Sequence, residues 1–267
     1  MSALPSRRWG RGERRALLLH GFTGSRFSFD HLEPLLGDVI AADCVDLPGH
    51  HEALTVPADF DGVVEQLASQ LSAPTCVIGY SQGARLALAL AVARPELVGR
   101  LVLESGSPGL HRRHDRAMRR RADAALAGLI ESEGVESFIA RWEQLPLFSG
   151  IRSLPAGVQA QLRARRVSHR PAGLAAALRV MGQGAQPDLW PSLPTLRVPT
   201  LLLSGAADAK YTRLARRMAA ELPLAWRVSF RGVGHAPHLE APQDWASEVR
   251  SFLTAPWTHE PAAEEAR

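Results

Sequence analysis

The sequence predicts an α/β fold: a mostly parallel sheet with helices on both faces and a helical insertion. Three observations predict it. Short apolar runs of strand length alternate with helical periodicities at both ends of the chain, the pattern of βαβ units. One of these runs, CVIGY, breaks at Gly79-Tyr80-Ser81-Gln82-Gly83 and resumes as a nearly continuous apolar helix, LALAL. Between them, residues 108–194 carry helical patterns and no convincing strand. At 267 residues and 46% apolar content the chain is long enough for one large core.

Taken in order, residues 16–20 form a short apolar strand that ends in His20-Gly21-Phe22-Thr23-Gly24, a glycine-bracketed loop. Residues 39–45 are the next strand, closed by the turn Asp46-Leu47-Pro48-Gly49-His50. Phe60, Val63, Val64, Leu67 and Leu71 recur at helical spacing, so residues 59–71 are an amphipathic helix. The strand and helix around Ser81 follow, and then a strand over 100–105. The insertion shows helical patterns at 112–130, 135–144 and 157–166. Alternation returns with a strand at 199–204, a helix at 211–222 and a strand at 226–230. Pro242 opens a last helix with Trp245, Val249, Phe252 and Leu253 on one face. The expected organisation is a core of residues 12–107 and 195–254, a helical cap of residues 108–194, and a disordered Pro/Ala/Glu-rich tail of residues 255–267.

Charge and composition exclude several function classes. The formal net charge is +4, carried almost wholly by arginine, with Lys210 the only lysine. The arginines are not interleaved with aromatics and match no nucleic-acid-binding motif, so an anionic small molecule is the expected partner. No run approaches the roughly eighteen apolar residues of a membrane span, and the basic N-terminus has no apolar signal core, so a cytoplasmic protein is expected. Cys44 and Cys76 fall in strands without metal-ligand spacing and read as buried free thiols. No metal or cofactor is expected.

The G-x-S-x-G element carries the chemistry. Ser81 at the apex of a strand-to-helix turn takes a strained conformation, which exposes its hydroxyl above the sheet while glycines let strand and helix cross. The Gln82 N–H at the start of the helix and the Phe22 N–H of the first loop are positioned to serve as oxyanion donors. Functional groups in a parallel sheet collect beyond the carboxyl ends of its strands. Asp208 and His235 each follow a strand by a few residues, so the chain order is Ser, Asp, His, that of α/β-hydrolases. A serine hydroxyl is a poor base or nucleophile at neutral pH. An imidazole must take its proton, and a carboxylate must fix the imidazole tautomer. Strand-to-loop spacing favours His235 over the nearby His238, and His20 is expected to brace its loop.

Arg85 is the only charged residue in the apolar helix. It lies one turn beyond Ser81 on the same face, and helical side chains lean back toward the N-terminus, so it should point at the active site. A half-buried guanidinium needs a partner, either an acid from a neighbouring strand or the insertion, or a substrate carboxylate gripped bidentately.

The segments LHGFTGS, DLPGH, GYSQGAR, ESGSPGL, RWEQLPLF, GAQPDLW, DAKY and GVGHAPH, in this order, resemble the MenH-type 2-succinyl-6-hydroxy-2,4-cyclohexadiene-1-carboxylate synthases of menaquinone biosynthesis. The resemblance implies a lyase that removes pyruvate from an enolpyruvyl, succinyl-bearing cyclohexene with three carboxylates. It makes Ser81, Asp208 and His235 the triad and Arg85, Arg119 and Arg166 the carboxylate-binding arginines. It places Tyr80, Gln82 and Phe22 on the oxyanion side and makes Trp142 an aromatic pocket residue. Gln82 departs from the leucine common at that position. Two other classes use the same fold: a serine hydrolase acting on an anionic ester or thioester, and a non-catalytic small-ligand receptor. The arginines favour the lyase over an esterase for apolar substrates.

Overall fold

The computed structural model describes residues 3–256. Its seven strands are β1 (Ser6–Trp9), β2 (Arg14–Leu19), β3 (Ile40–Val45), β4 (Thr75–Tyr80), β5 (Val98–Glu104), β6 (Thr200–Gly205) and β7 (Ala225–Phe230). They form one sheet in the order β1-β3-β2-β4-β5-β6-β7. All neighbours run parallel except β1, which pairs antiparallel with β3. Strand β6 is buried along its whole length and β4 up to Tyr80, which is why they appear in the sequence as nearly unbroken apolar runs. Strand β1 is the strand that sequence reading misses. It is a polar edge strand, SRRW, that buries only Trp9, and its arginines pair with Asp30 and Asp43.

The helices are α1 (Glu33–Leu36), α2 (Phe60–Ala68), α3 (Gln82–Ala93), α4 (Arg113–Trp142), α5 (Ala156–Val167), α6 (Pro171–Met181), α7 (Ala209–Glu221), α8 (Pro237–Glu240) and α9 (Pro242–Thr254). Two apolar layers hold them to the sheet. Val63 and Leu67 of α2, Leu86, Leu88 and Leu90 of α3, and Met218 of α7 pack on one face. Leu36 of α1 and Trp245, Val249 and Leu253 of α9 pack on the other. Asp59 starts α2 by accepting the Gly62 N–H at 2.8 Å.

Between β5 and β6 the described chain is helical only. Helix α4 breaks at Gly134 (φ 81°), which separates the two helical patterns read at 112–130 and 135–144. Its Ala127, Ile130, Phe138 and Ile139 close on Leu174 and Leu178 of α6, a small core of its own in contact with Phe22. Helix α6, which opens on Pro171 and is rich in alanine, is an element the sequence periodicity did not single out. Cys44 and Cys76 are free and buried, and burial pushes the Cys76 thiol up to about 12. No described helix is long and apolar enough to cross a membrane. The tail read as disordered lies outside the described residues from position 257 onward.

Candidate active site

Ser81 sits between β4 and α3 with φ 52° and ψ −104°, backbone values that non-glycine residues seldom adopt. Packing over-determines this strain. The Ser81 N–H donates to Glu104 O at 2.8 Å. A Cβ on Gly79 would meet the Gly83 backbone at 2.5 Å, and one on Gly83 would meet Leu19 O at 2.0 Å, so only glycine fits on either side. The turn holds the serine hydroxyl above the carboxyl ends of the strands.

Two other strand ends supply its partners. His235 follows β7 and is 1% exposed; its backbone carbonyl accepts the Ser105 hydroxyl at 2.8 Å. Its Nδ1 lies 2.7 Å from Asp208 Oδ2, and its Nε2 lies 3.1 Å from Ser81 Oγ. With the proton on the Asp208 side, Nε2 is left as the acceptor that faces the serine. Asp208 follows β6 and caps α7, its second oxygen taking the Tyr211 N–H at 3.2 Å. The backbone N–H groups of Phe22 and Gln82 donate to no acceptor among the described residues, which leaves both available beside Ser81. The Gln82 side chain, by contrast, is 2% exposed and turned away: its Nε2 donates to Met181 O at 3.3 Å, and its Oε1 is buried without a partner.

The three arginines differ in their surroundings. Arg85 is buried, and the only hydrogen bond of its guanidinium among the described residues is Nη1 to Gln186 Oε1 at 3.4 Å. No described carboxylate pairs with it, and burial lowers its pKa to about 10. Arg119 donates to Asp123 at 2.7 Å and to Gln183 at 3.2 Å. Arg166 donates to Glu143 at 2.9 Å, an acid it shares with Arg163 at 2.8 Å, and lies 5.8 Å from the Phe148 ring centre. Arg166 also lines a pocket with Phe22, Tyr80, Leu162 and His238, whose walls include none of the triad residues. Trp142 packs edge-on to Phe22 at 5.6 Å and stacks on Phe138 at 5.4 Å. Tyr80 lies 5.5 Å from His235 and 4.6 Å from His238, ring centre to ring centre.

Several other described histidines hold structure. His20 Nδ1 donates to Gly21 O at 2.8 Å, while Nε2 accepts the Leu47 N–H at 3.0 Å, and burial lowers its pKa to about 4. His238 is buried against Glu104, Nδ1 to Oε1 at 2.7 Å, and so is paired with a carboxylate of its own. His169, between α5 and α6, donates to Thr23 O at 3.0 Å and accepts the His51 N–H at 3.0 Å, tying the insertion to two core loops. Sequence reasoning picked out neither this tie, nor the Glu104–His238 pair, nor Tyr211, whose ring centre is 4.6 Å from His235. The available signal was the DAKY segment, which places Tyr211 three residues after Asp208. No group of three or more metal-ligating side chains converges among the described residues.

A serine on a strained elbow, an imidazole within hydrogen-bonding distance and a capping aspartate define a class of catalyst, and the chain belongs to the α/β-hydrolase family, whose model matches residues 16–248. Within that family its relatives are the 2-succinyl-6-hydroxy-2,4-cyclohexadiene-1-carboxylate synthases. It is 35% identical to a protein of Bacillus subtilis (strain 168) provisionally given that name, over 89% of each chain. It is 31% identical to the synthase of Serratia proteamaculans (strain 568), over 92% of this chain and 96% of that one. Among solved structures, MenH from S. aureus superposes with a TM-score of 0.89 at 31% identity, covering 95% of this chain and 98% of that one. A malate-bound thermophilic esterase from Thermogutta terrifontis superposes at 0.80 with 28% identity, covering 94% and 92%.

Proposed function

We propose that the chain is a carbon–oxygen lyase of menaquinone biosynthesis. It eliminates pyruvate from 2-succinyl-5-enolpyruvyl-6-hydroxy-3-cyclohexene-1-carboxylate to give 2-succinyl-6-hydroxy-2,4-cyclohexadiene-1-carboxylate. The observation that carries this reading is Arg85, a buried guanidinium one helical turn beyond Ser81 with no carboxylate paired to it among the described residues. A buried charge without a counter-ion is costly, and a pocket that keeps one is suited to an anionic ligand. An esterase for neutral substrates has no use for it.

In this reading His235, oriented by Asp208, takes the Ser81 proton, and the resulting alkoxide removes the proton alpha to the succinyl ketone. The electron pair passes to the ketone oxygen as an enolate, which the Phe22 and Gln82 N–H groups stabilise. Collapse of the enolate in a conjugate elimination breaks the ring C–O bond and expels enolpyruvate, which takes the proton held on His235 and tautomerises to pyruvate, leaving Ser81 and His235 as they began. Arg85, with Arg119 and Arg166 from the insertion, holds the substrate carboxylates, and Trp142 and Tyr80 complete the pocket. The likeness to a malate-bound esterase supports a second reading on the same triad, hydrolysis of an anionic ester through an acyl-Ser81 intermediate.

Incubation with the enolpyruvyl substrate, with pyruvate release followed, separates the two. Ser81→Ala is expected to lower kcat by about a thousandfold or more while substrate still binds, because a group that acts in the chemical step adds little ground-state affinity. Turnover unchanged in Ser81→Ala sinks the triad assignment. A covalent acyl-enzyme seen by mass spectrometry favours the hydrolase.

A further inference from the structure

Tyr211 touches the triad twice. Its backbone N–H donates to Asp208 Oδ1 at 3.2 Å, and its ring packs against the His235 imidazole, centre to centre 4.6 Å at an interplanar angle of 57°. Lys210 places its ammonium 5.0 Å from the ring centre. The phenol is half-buried, and no side-chain hydrogen bond among the described residues holds its hydroxyl. The charges that act most on that hydroxyl are those of Arg85, Asp208 and Arg119, so it stands in the field of the buried guanidinium. Burial raises the phenol's pKa, which keeps it protonated and able to donate near neutral pH.

A hydroxyl without a partner, carried on a ring packed against the general base and lying in the electrostatic field of a buried cation, is suited to donate to an anion bound there. We propose that Tyr211 is a specificity-determining residue of this site: its hydroxyl donates a hydrogen bond to the substrate carboxylate that Arg85 grips, while its ring backs His235. The inference rests on the lyase reading for the identity of the substrate but not for the chemistry recognised, which is a carboxylate. Arg85 supplies the charge, and Tyr211 supplies a second, directional donor at a fixed distance from the catalytic imidazole. The reacting carbon is thereby placed in register with Ser81.

Tyr211→Phe in the full-length chain keeps the ring and deletes the hydroxyl. With the enolpyruvyl substrate, KM is expected to rise about five- to twentyfold while kcat stays within about twofold, as for loss of uniform binding. The pH profile of kcat/KM should keep its acid limb, because the ring still backs His235. Unchanged KM overturns the proposal, and so does a displaced acid limb, which would assign the effect to the imidazole. If the wild-type chain releases no pyruvate, the lyase reading fails by itself, and calorimetry with succinate decides the present proposal. About fivefold weaker succinate binding in Tyr211→Phe supports it, and equal binding overturns it. Should Tyr211→Phe fold poorly, succinate titration of native chain carrying 13Cζ-labelled tyrosine reads the hydroxyl directly, since Tyr80 and Tyr211 are the only tyrosines. A Tyr211 resonance that does not move on saturation overturns the proposal.

Discussion

The sheet wall and the helical wall of the site hold their polar groups by different means. On the sheet wall, Ser81, Asp208 and His235 are fixed by backbone: a strained elbow, a helix cap and a carbonyl anchored by Ser105. The Arg85 guanidinium on the same wall is left with a single long hydrogen bond to Gln186 among the described residues. On the helical wall the charges hold one another, Arg119 with Asp123, and Arg166 and Arg163 with Glu143. The contrast teaches that a substrate meets the two walls on different terms. A carboxylate that enters beside Arg85 adds a missing counter-ion, whereas one that reaches Arg119 or Arg166 must share or displace an acid already bound.

The largest effect that tests this contrast is at Arg85. Arg85→Met should lower kcat/KM for the tricarboxylate by roughly 30- to 1000-fold, about 2–4 kcal/mol for a desolvated charge pair. The same change removes an uncompensated buried charge, so the thermal midpoint is expected to hold or rise. A variant that loses both activity and stability would show that Arg85 supports the fold, and the comparison would break.

Arg119→Met should behave in the opposite sense on stability. It leaves Asp123, which is 2% exposed, with only the Gly184 N–H as partner. Because the arginine is over a third exposed, the expected cost is reduced by solvent to about 1–2 kcal/mol, a few degrees in Tm for a chain of this size. The expected fall in kcat/KM is about tenfold, smaller than at Arg85. Arg166→Met should cost less stability still, since Arg163 continues to pair Glu143. Equal losses of activity at all three positions would erase the distinction between the walls.

The joint between the two walls is tested by pH rather than by its effect on turnover. His20 and His169 are kept neutral by burial, and His50, buried beside both, is held well below its ordinary range. Their ring centres lie 4.9 Å apart for His20 and His50, and 5.5 Å apart for His50 and His169. Each has a lower pKa folded than unfolded, so the unfolded chain binds more protons on acidification. Stability is therefore fully present above about pH 6.5 and is lost as pH falls toward about 4, by about 3 kcal/mol for His20 alone. Denaturant unfolding between pH 7 and 4.5 checks this, and His169→Gln, which retains a donor and an acceptor, should flatten the slope. A slope unchanged in that variant places the acid sensitivity elsewhere.

The sequence by itself determined the alternation of strands and helices and the order Ser81, Asp208, His235, because burial and turn geometry write themselves into local spacing. Nearly unbroken apolar runs mark β4 and β6, and the glycines around Ser81 mark a crossing too tight for any Cβ. It also pointed Arg85 toward the site, since one helical turn fixes direction. The polar edge strand β1 was illegible because its pairing with β3 is a matter of backbone bonds and one buried tryptophan. Only the tertiary structure decided which charges are already neutralised. Glu143 reaches Arg166 across 23 positions and Gln186 reaches Arg85 across 101, and such pairings arise from packing between segments rather than from anything local. For the same reason the place of Tyr211 against His235 and in the field of Arg85 emerges only when β6 and β7 lie side by side and α3 packs across the sheet.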